Sequence, residues 1–200
     1  MKKNIIKKIA ITLLLTTSIF ALVGCNNIKN KKITVTGEKI NLSIEDTNVE
    51  NQRISINDWS FEIPSNWKKI DTEAKDAYSY APIAYEEDTN SSNVNVVIQK
   101  SDSQPSITDL MNNINEALLA QIVEVMPTAT NFKYDNFKSN MGDVLAIEYD
   151  VSNSGIDMHT TQFLVLCDGY SVAVTSINIG DDISPAPESV AKHIVTTLKK

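Results

Sequence analysis

Cysteine, histidine and glycine are scarce in this 200-residue chain: two, two and six of them. Cys25 and Cys167 are too few for a disulfide framework, so the fold must stand on its core. Six glycines supply neither a phosphate-cradling loop nor a Gly-x-Ser-x-Gly nucleophile elbow. His159 and His193 lie far apart in sequence and lack metal-ligand spacing such as a helical pair four residues apart. No apolar run reaches the about 20 residues that a bilayer-spanning helix needs. An excess of positive charge is also missing. All 25 acidic residues lie after residue 24, but only 14 of the 18 basic ones do, which leaves the remainder at −11. No basic patch survives to neutralise a phosphate backbone, which argues against nucleic acid as a partner. Such an acidic domain is also mildly repelled by anionic lipid.

What is present begins with four lysines, Lys2, Lys3, Lys7 and Lys8, and no acid among them. An apolar or small-residue run from Ile9 to Leu22 follows, then Leu22-Val23-Gly24-Cys25. A basic start, a short apolar core and small residues at a cut are the parts of a secretory signal peptide. The last four residues resemble the lipobox of bacterial lipoproteins, in which the cysteine thiol is alkylated by a diacylglyceryl group before the signal is cut. Leu22 and Val23 match its apolar positions, Gly24 its small one and Cys25 the thiol. The resemblance implies lipidation of Cys25 and a chain held by lipid at the extracytoplasmic face of a membrane. Each buried methylene adds about 0.8 kcal/mol, so two or more acyl chains anchor durably where one does not. With Cys25 lipidated, Cys167 is left alone. It lies in the apolar run Phe163 to Cys167 and reads as a small buried residue rather than a nucleophile, which would need a histidine beside it.

These signals divide the chain into a signal peptide (1–24), a lipidated N-terminus and tether (25–52) and one α+β domain (53–200). The tether is polar, rich in lysine and asparagine, and suited to holding a domain clear of the head groups. Ile54, Ile56, Trp59, Phe61 and Ile63 form a run that ends at Pro64 and reads as the first strand. Tyr78 to Tyr85 reads as extended, and Val94, Val96 and Ile98 alternate as in a half-buried strand. Ser106 and Asp109 make a capping box. It opens a helix with the apolar stripe Ile107, Leu110, Met111, Ile114, Leu118, Ile122 and Met126, which Pro127 stops. Four strands follow, over Phe132–Phe137, Val144–Val151, Met158–Cys167 and Tyr170–Ile177, with Asp168-Gly169 as a hairpin signal. A last helix is expected with Ser184 as cap, Pro185 in its first turn, Val190, Ala191, Ile194 and Leu198 facing the core, and Lys199 and Lys200 at its end. Consecutive hairpins cannot make a parallel sheet. The expectation is therefore a single antiparallel sheet of six or seven strands covered by two main helices.

That order, with Phe61-Glu62-Ile63-Pro64-Ser65-Asn66-Trp67 near its start, resembles the PsbP-like fold. Its members include a lumenal photosystem II subunit, a nuclear-import factor that binds the small GTPase Ran, and many bacterial lipoproteins. The resemblance spans Arg53 to Lys200 and implies a non-catalytic binding or assembly module. It carries over no functional residue, and nothing ties the chain to photosynthesis.

Side chains with any claim to chemistry are few. Glu86-Glu87-Asp88 and Asp181-Asp182 lack the glycine and alternating acids of a calcium loop and read as a solvated acidic face. His193 is expected to face water. Glu148 and Asp150 alternate with apolar neighbours and read as the solvent face of a strand, not a catalytic pair. Trp59, Trp67, Tyr78, Tyr80 and Tyr85 cluster early and read first as core packing, with a partner-binding surface as the sharper alternative. The sequence therefore predicts no catalytic residue, no metal site and no cofactor. The leading expectation is a membrane-anchored module that binds another envelope protein. A small-ligand or metal-binding lipoprotein is the second, and a hydrolase built on Cys167–His159 or a converging acid pair is the weakest.

Overall fold

A computed structural model describes residues 40, 49–71, 76–83, 92–100, 106–112, 116–153, 155–167, 169–180 and 183–200. The signal, the lipobox, Tyr85 and both acidic runs lie outside these residues.

The expected first strand is two. β1 (Asn51–Ile56) and β2 (Trp59–Pro64) pair antiparallel across a turn at Asn57-Asp58. The sequence carries this break as a change of parity, since Ile54 and Ile56 occupy even positions while Trp59, Phe61 and Ile63 occupy odd ones. Asn57 takes a φ of 52°, a left-handed conformation that asparagine tolerates.

β3 (Trp67–Ile70), β4 (Ala77–Pro82) and β5 (Asn93–Lys100) come next. The long helix appears as α1 (Ile107–Asn112) and α2 (Glu116–Val125). The capping box is present: the Asp109 amide donates to Ser106 Oγ at 3.0 Å, and the Ser106 amide to Asp109 Oδ2 at 3.3 Å. Four strands follow, β6 (Thr130–Ser139), β7 (Gly142–Asn153), β8 (Ile156–Cys167) and β9 (Tyr170–Asn178), then α3 (Pro187–Thr197). Gly169 in the β8–β9 turn has a φ of 76°, as the Asp-Gly signal requires.

α3 starts later than expected. Its N-cap is Ala186, whose side chain makes no cap, and the proline in its first turn is Pro187 rather than Pro185. Either proline supplies a suitable φ, so the residue type alone does not choose between them.

Among the described residues the architecture is α+β, with two sheets rather than one. β1 and β2 form a separate two-stranded sheet, and the other seven run in the order β3-β4-β5-β9-β8-β7-β6, every neighbour antiparallel. The alternation along β7 separates two cores. Val144 and Ala146 join Phe163, Val165, Val172 and Val174 beneath α3 and the β1–β2 hairpin. Leu145, Ile147 and Tyr149 face the other way, toward Ile107, Leu119, Ile122 and Met126 of the α1–α2 layer. The hairpin is tied to the C-terminal segment. Ser60 and Lys199 exchange backbone hydrogen bonds of 2.8 Å, and the Glu62 amide donates to Thr197 Oγ1 at 3.0 Å. Ile40, within the stretch read as tether, is 6% exposed and belongs to the first core, so packing reaches back beyond β1.

Candidate functional site

The first core ends where its sheet face turns polar. Val144, Ala146, Glu148 and Asp150 share one face of β7, because side chains two apart on a strand point the same way. Glu148 stands opposite Thr161, and Asp150 opposite His159, on β8. On the outer side Lys133 of β6 stands opposite Glu148. Between Thr130 and Lys133 the register slips, so that three steps on β6 match two on β7. This bulge contains Asn131 at a φ of 56° and aims its amide across to β7 at the exposed rim, where Nδ2 donates to Asp150 Oδ2 at 2.8 Å.

The result is a connected polar network. Lys133 Nζ lies 2.8 Å from Glu148 Oε1, and His159 Nδ1 lies 2.8 Å from Asp150 Oδ1. His159 Nε2 lies 3.7 Å from Glu148 Oε2. The glutamate side chain is 12% exposed, and those of His159 and Asp150 are 40% and 44% exposed. The network thus has a buried root and an open rim.

Two carboxylates hold the imidazole charged. Its pKa rises to about 9, chiefly through Glu148 and then Asp150, against the opposing effect of burial. Glu148 exerts the larger influence although Asp150 lies closer, because solvent screens the more exposed carboxylate. In return Glu148 is held down to about 2, first by His159 and then, against burial, by Lys133. Burial opposes ionisation of Asp150, but hydrogen bonds from Asn131 and His159 outweigh it and keep this carboxyl below its ordinary range. At neutral pH the imidazolium has both nitrogens protonated and cannot accept a proton. It can donate hydrogen bonds and present charge.

Glu148 is therefore not on a solvent face. It is buried, because Lys133 and His159 neutralise it, and the alternating pattern alone cannot show cross-strand partners. Cys167 ends β8 and His159 lies eight residues, or about 26 Å, before it on the same strand, so no Cys167–His159 pair forms. His193 does not face water either. Its Nε2 is buried without a hydrogen bond, 3.9 Å from Glu62 Oε2, and burial lowers its pKa more than Glu62 raises it.

The early aromatics divide. Trp59, Trp67 and Tyr80 are 4%, 0% and 1% exposed and pack in the first core, so they line no surface. Burial, reinforced by Tyr78, pushes the Tyr80 phenol up to about 12. Tyr78 is half-buried, with Lys69 Nζ 5.5 Å from its ring centre. Lys133 and Asn131 were missed by sequence reasoning. Only the β6–β7 register and the bulge bring them to the site, and neither is marked by a motif. Among the described residues no group of three or more His, Cys, Asp or Glu side chains is arranged to hold a metal ion, and no helix is long and apolar enough to cross a membrane.

No protein-family model matches the chain, and no curated protein matches it in sequence. Similarity to solved structures is nonetheless extensive. The solution structure of cyanobacterial PsbP (CyanoP) from Synechocystis sp. PCC 6803 superposes with a TM-score of 0.55 at 12% identity, over 77% of this chain and 94% of that one. LpqN, involved in cell envelope biogenesis of Mycobacterium tuberculosis, gives 0.46 at 12% identity, over 78% and 93%. A Bacteroides thetaiotaomicron VPI-5482 protein gives 0.47 at 11% identity, over 71% and 44%. The likeness to CyanoP shows a PsbP-like fold.

Proposed function

We propose that this PsbP-like chain is a lipid-anchored extracytoplasmic module that holds another envelope protein against the polar end of its larger sheet. The observation that carries this reading is the network of Lys133, Glu148, His159, Asp150 and Asn131. Its charges are fixed by one another, so a partner meets a preformed surface and little side-chain freedom is lost on contact. The same fixation keeps His159 from acting as a base at neutral pH, which favours recognition over proton transfer. The basic, apolar and small residues before Cys25 supply the address, and acylation of Cys25 the attachment. A domain with a formal charge of −11 has little attraction of its own for anionic lipid.

Crosslinking on intact cells, followed by affinity recovery of the full-length protein, tests the reading. A discrete envelope protein is expected with the wild-type chain. Its yield should fall sharply with Asp150→Lys, which reverses charge at the open rim, and stay unchanged with Lys69→Ala on the distant β3 edge. Recovery of no protein above background would overturn the proposal.

A further inference from the structure

We propose that the sheet face carrying the α1–α2 layer also holds a groove for a neutral, polyhydroxylated ligand, a glycan. The floor of the groove is a row of uncharged polar side chains, Ser79, Asn95, Thr175 and Gln162. This face is the reverse of the one that bears His159 and Asp150, because residues of opposite parity on β8 point to opposite sides of the sheet.

Four adjacent strands contribute one residue each. Ser79 of β4 stands opposite Asn95 of β5, Asn95 opposite Thr175 of β9, and Thr175 opposite Gln162 of β8. Directly opposed residues share a face, so the four line up across the sheet at about 4.8 Å intervals, about 14 Å from end to end. Beyond Gln162 the row meets Ile147, which belongs to the second core and closes the groove on that side. A parallel row two residues along the strands holds Ala77, Val97 and Ala173. These three are buried yet join neither core. Alanine at two of the three positions keeps the floor low beside the polar row.

The row is only partly satisfied from within. Ser79 Oγ donates to Asn95 Oδ1, and Asn95 Nδ2 donates to Asn93 Oδ1 at 2.7 Å. Thr175 and Gln162 are 4% and 5% exposed, yet among the described residues neither side chain has a hydrogen-bond partner. Buried polar groups are normally paired, and two unpaired neighbours in one row point to a partner from outside the chain. Asn95 is half-buried, which leaves the middle of the row within reach. The chemistry of the row selects the ligand. None of β4, β5, β8 and β9 places a charged side chain on this face, and Lys68, opposite Ala81, stands only at the β3 edge. An ion would be desolvated there without a counter-charge. Hydroxyl and amide side chains both donate and accept, as sugar hydroxyls do, so a neutral polyol can satisfy every member of the row.

Binding of the full-length protein to an array of neutral malto-, cello- and chito-oligosaccharides tests this. Vesicles bearing a neutral diglycosyl diacylglycerol form a second arm. Retention is expected in one arm, the array identifying a soluble glycan and the vesicles a lipid-borne one. Thr175→Val and Gln162→Leu should each weaken binding about tenfold. Thr175→Val should leave the melting temperature unchanged or higher, because it replaces a buried hydroxyl that has no partner within the described chain. Asp150→Lys, on the opposite face, should leave glycan binding unchanged, so this test fails or succeeds independently of the protein-binding reading. Retention in neither arm, or an affinity indifferent to both groove variants, would overturn the proposal. A lowered melting temperature of Thr175→Val would show the hydroxyl satisfied within the fold and overturn it as well.

Discussion

His159 and Asp150 face each other across β8 and β7, with Nδ1 and Oδ1 2.8 Å apart, and this contact fixes the ring so that its other nitrogen turns toward Glu148. A histidine between two carboxylates is a permanent cation over the physiological range rather than a pH sensor.

Its pH signature lies on the alkaline side. The pKa of His159 is raised from 6.5 to about 9 on folding, so its contribution to stability is whole below pH 6.5 and lost as pH rises through 9. His159→Gln should therefore lower the melting temperature most at pH 6 and little at pH 9.5. A constant difference between the two proteins across that range would refute the assignment. Glu148 sets the acid limit, since its pKa is lowered from 4.5 to about 2 and its contribution fades only below pH 4.5.

His193 should behave in the opposite sense. Burial lowers its pKa below 6.5, so the folded state binds fewer protons than the unfolded chain, and stability falls as pH drops below 6.5. His193→Gln should flatten the melting curve between pH 6.5 and 5. Glu62→Gln should steepen it, because Glu62 at 3.9 Å offsets part of the cost of charging the ring. Identical slopes in all three proteins would exclude His193 as the group concerned.

Ile40 tests how far the domain extends. A side chain that is 6% exposed in the first core should cost about 2–5 kcal/mol when cut back to alanine. A denaturant midpoint unchanged by Ile40→Ala would place the residue outside the cooperative fold.

The anchor is open to the plainest experiment. Cys25→Ser should leave the precursor unprocessed by the lipoprotein pathway and should shift the protein from the membrane fraction toward the soluble fraction on cell fractionation. Unaltered processing and partitioning would remove lipid attachment from the proposed function.

Local chemistry was legible in the sequence. The Ser106–Asp109 capping box, the β8–β9 turn at Gly169, the alternation along β5 and the apolar face of α3 are each written within a few neighbouring residues, and each is present. The change of parity after Ile56 was equally available, and it marks a separate hairpin where one strand was expected. The sequence by itself determined an antiparallel α+β fold, since hairpin-linked strands admit no other pairing. Tertiary structure alone decided which polar residues meet. Lys133 and Glu148 are fifteen residues apart, and they touch because of strand register and a one-residue bulge. Burial of a carboxylate depends on whether a counter-charge is delivered across the sheet, and no window of sequence around Glu148 contains that information.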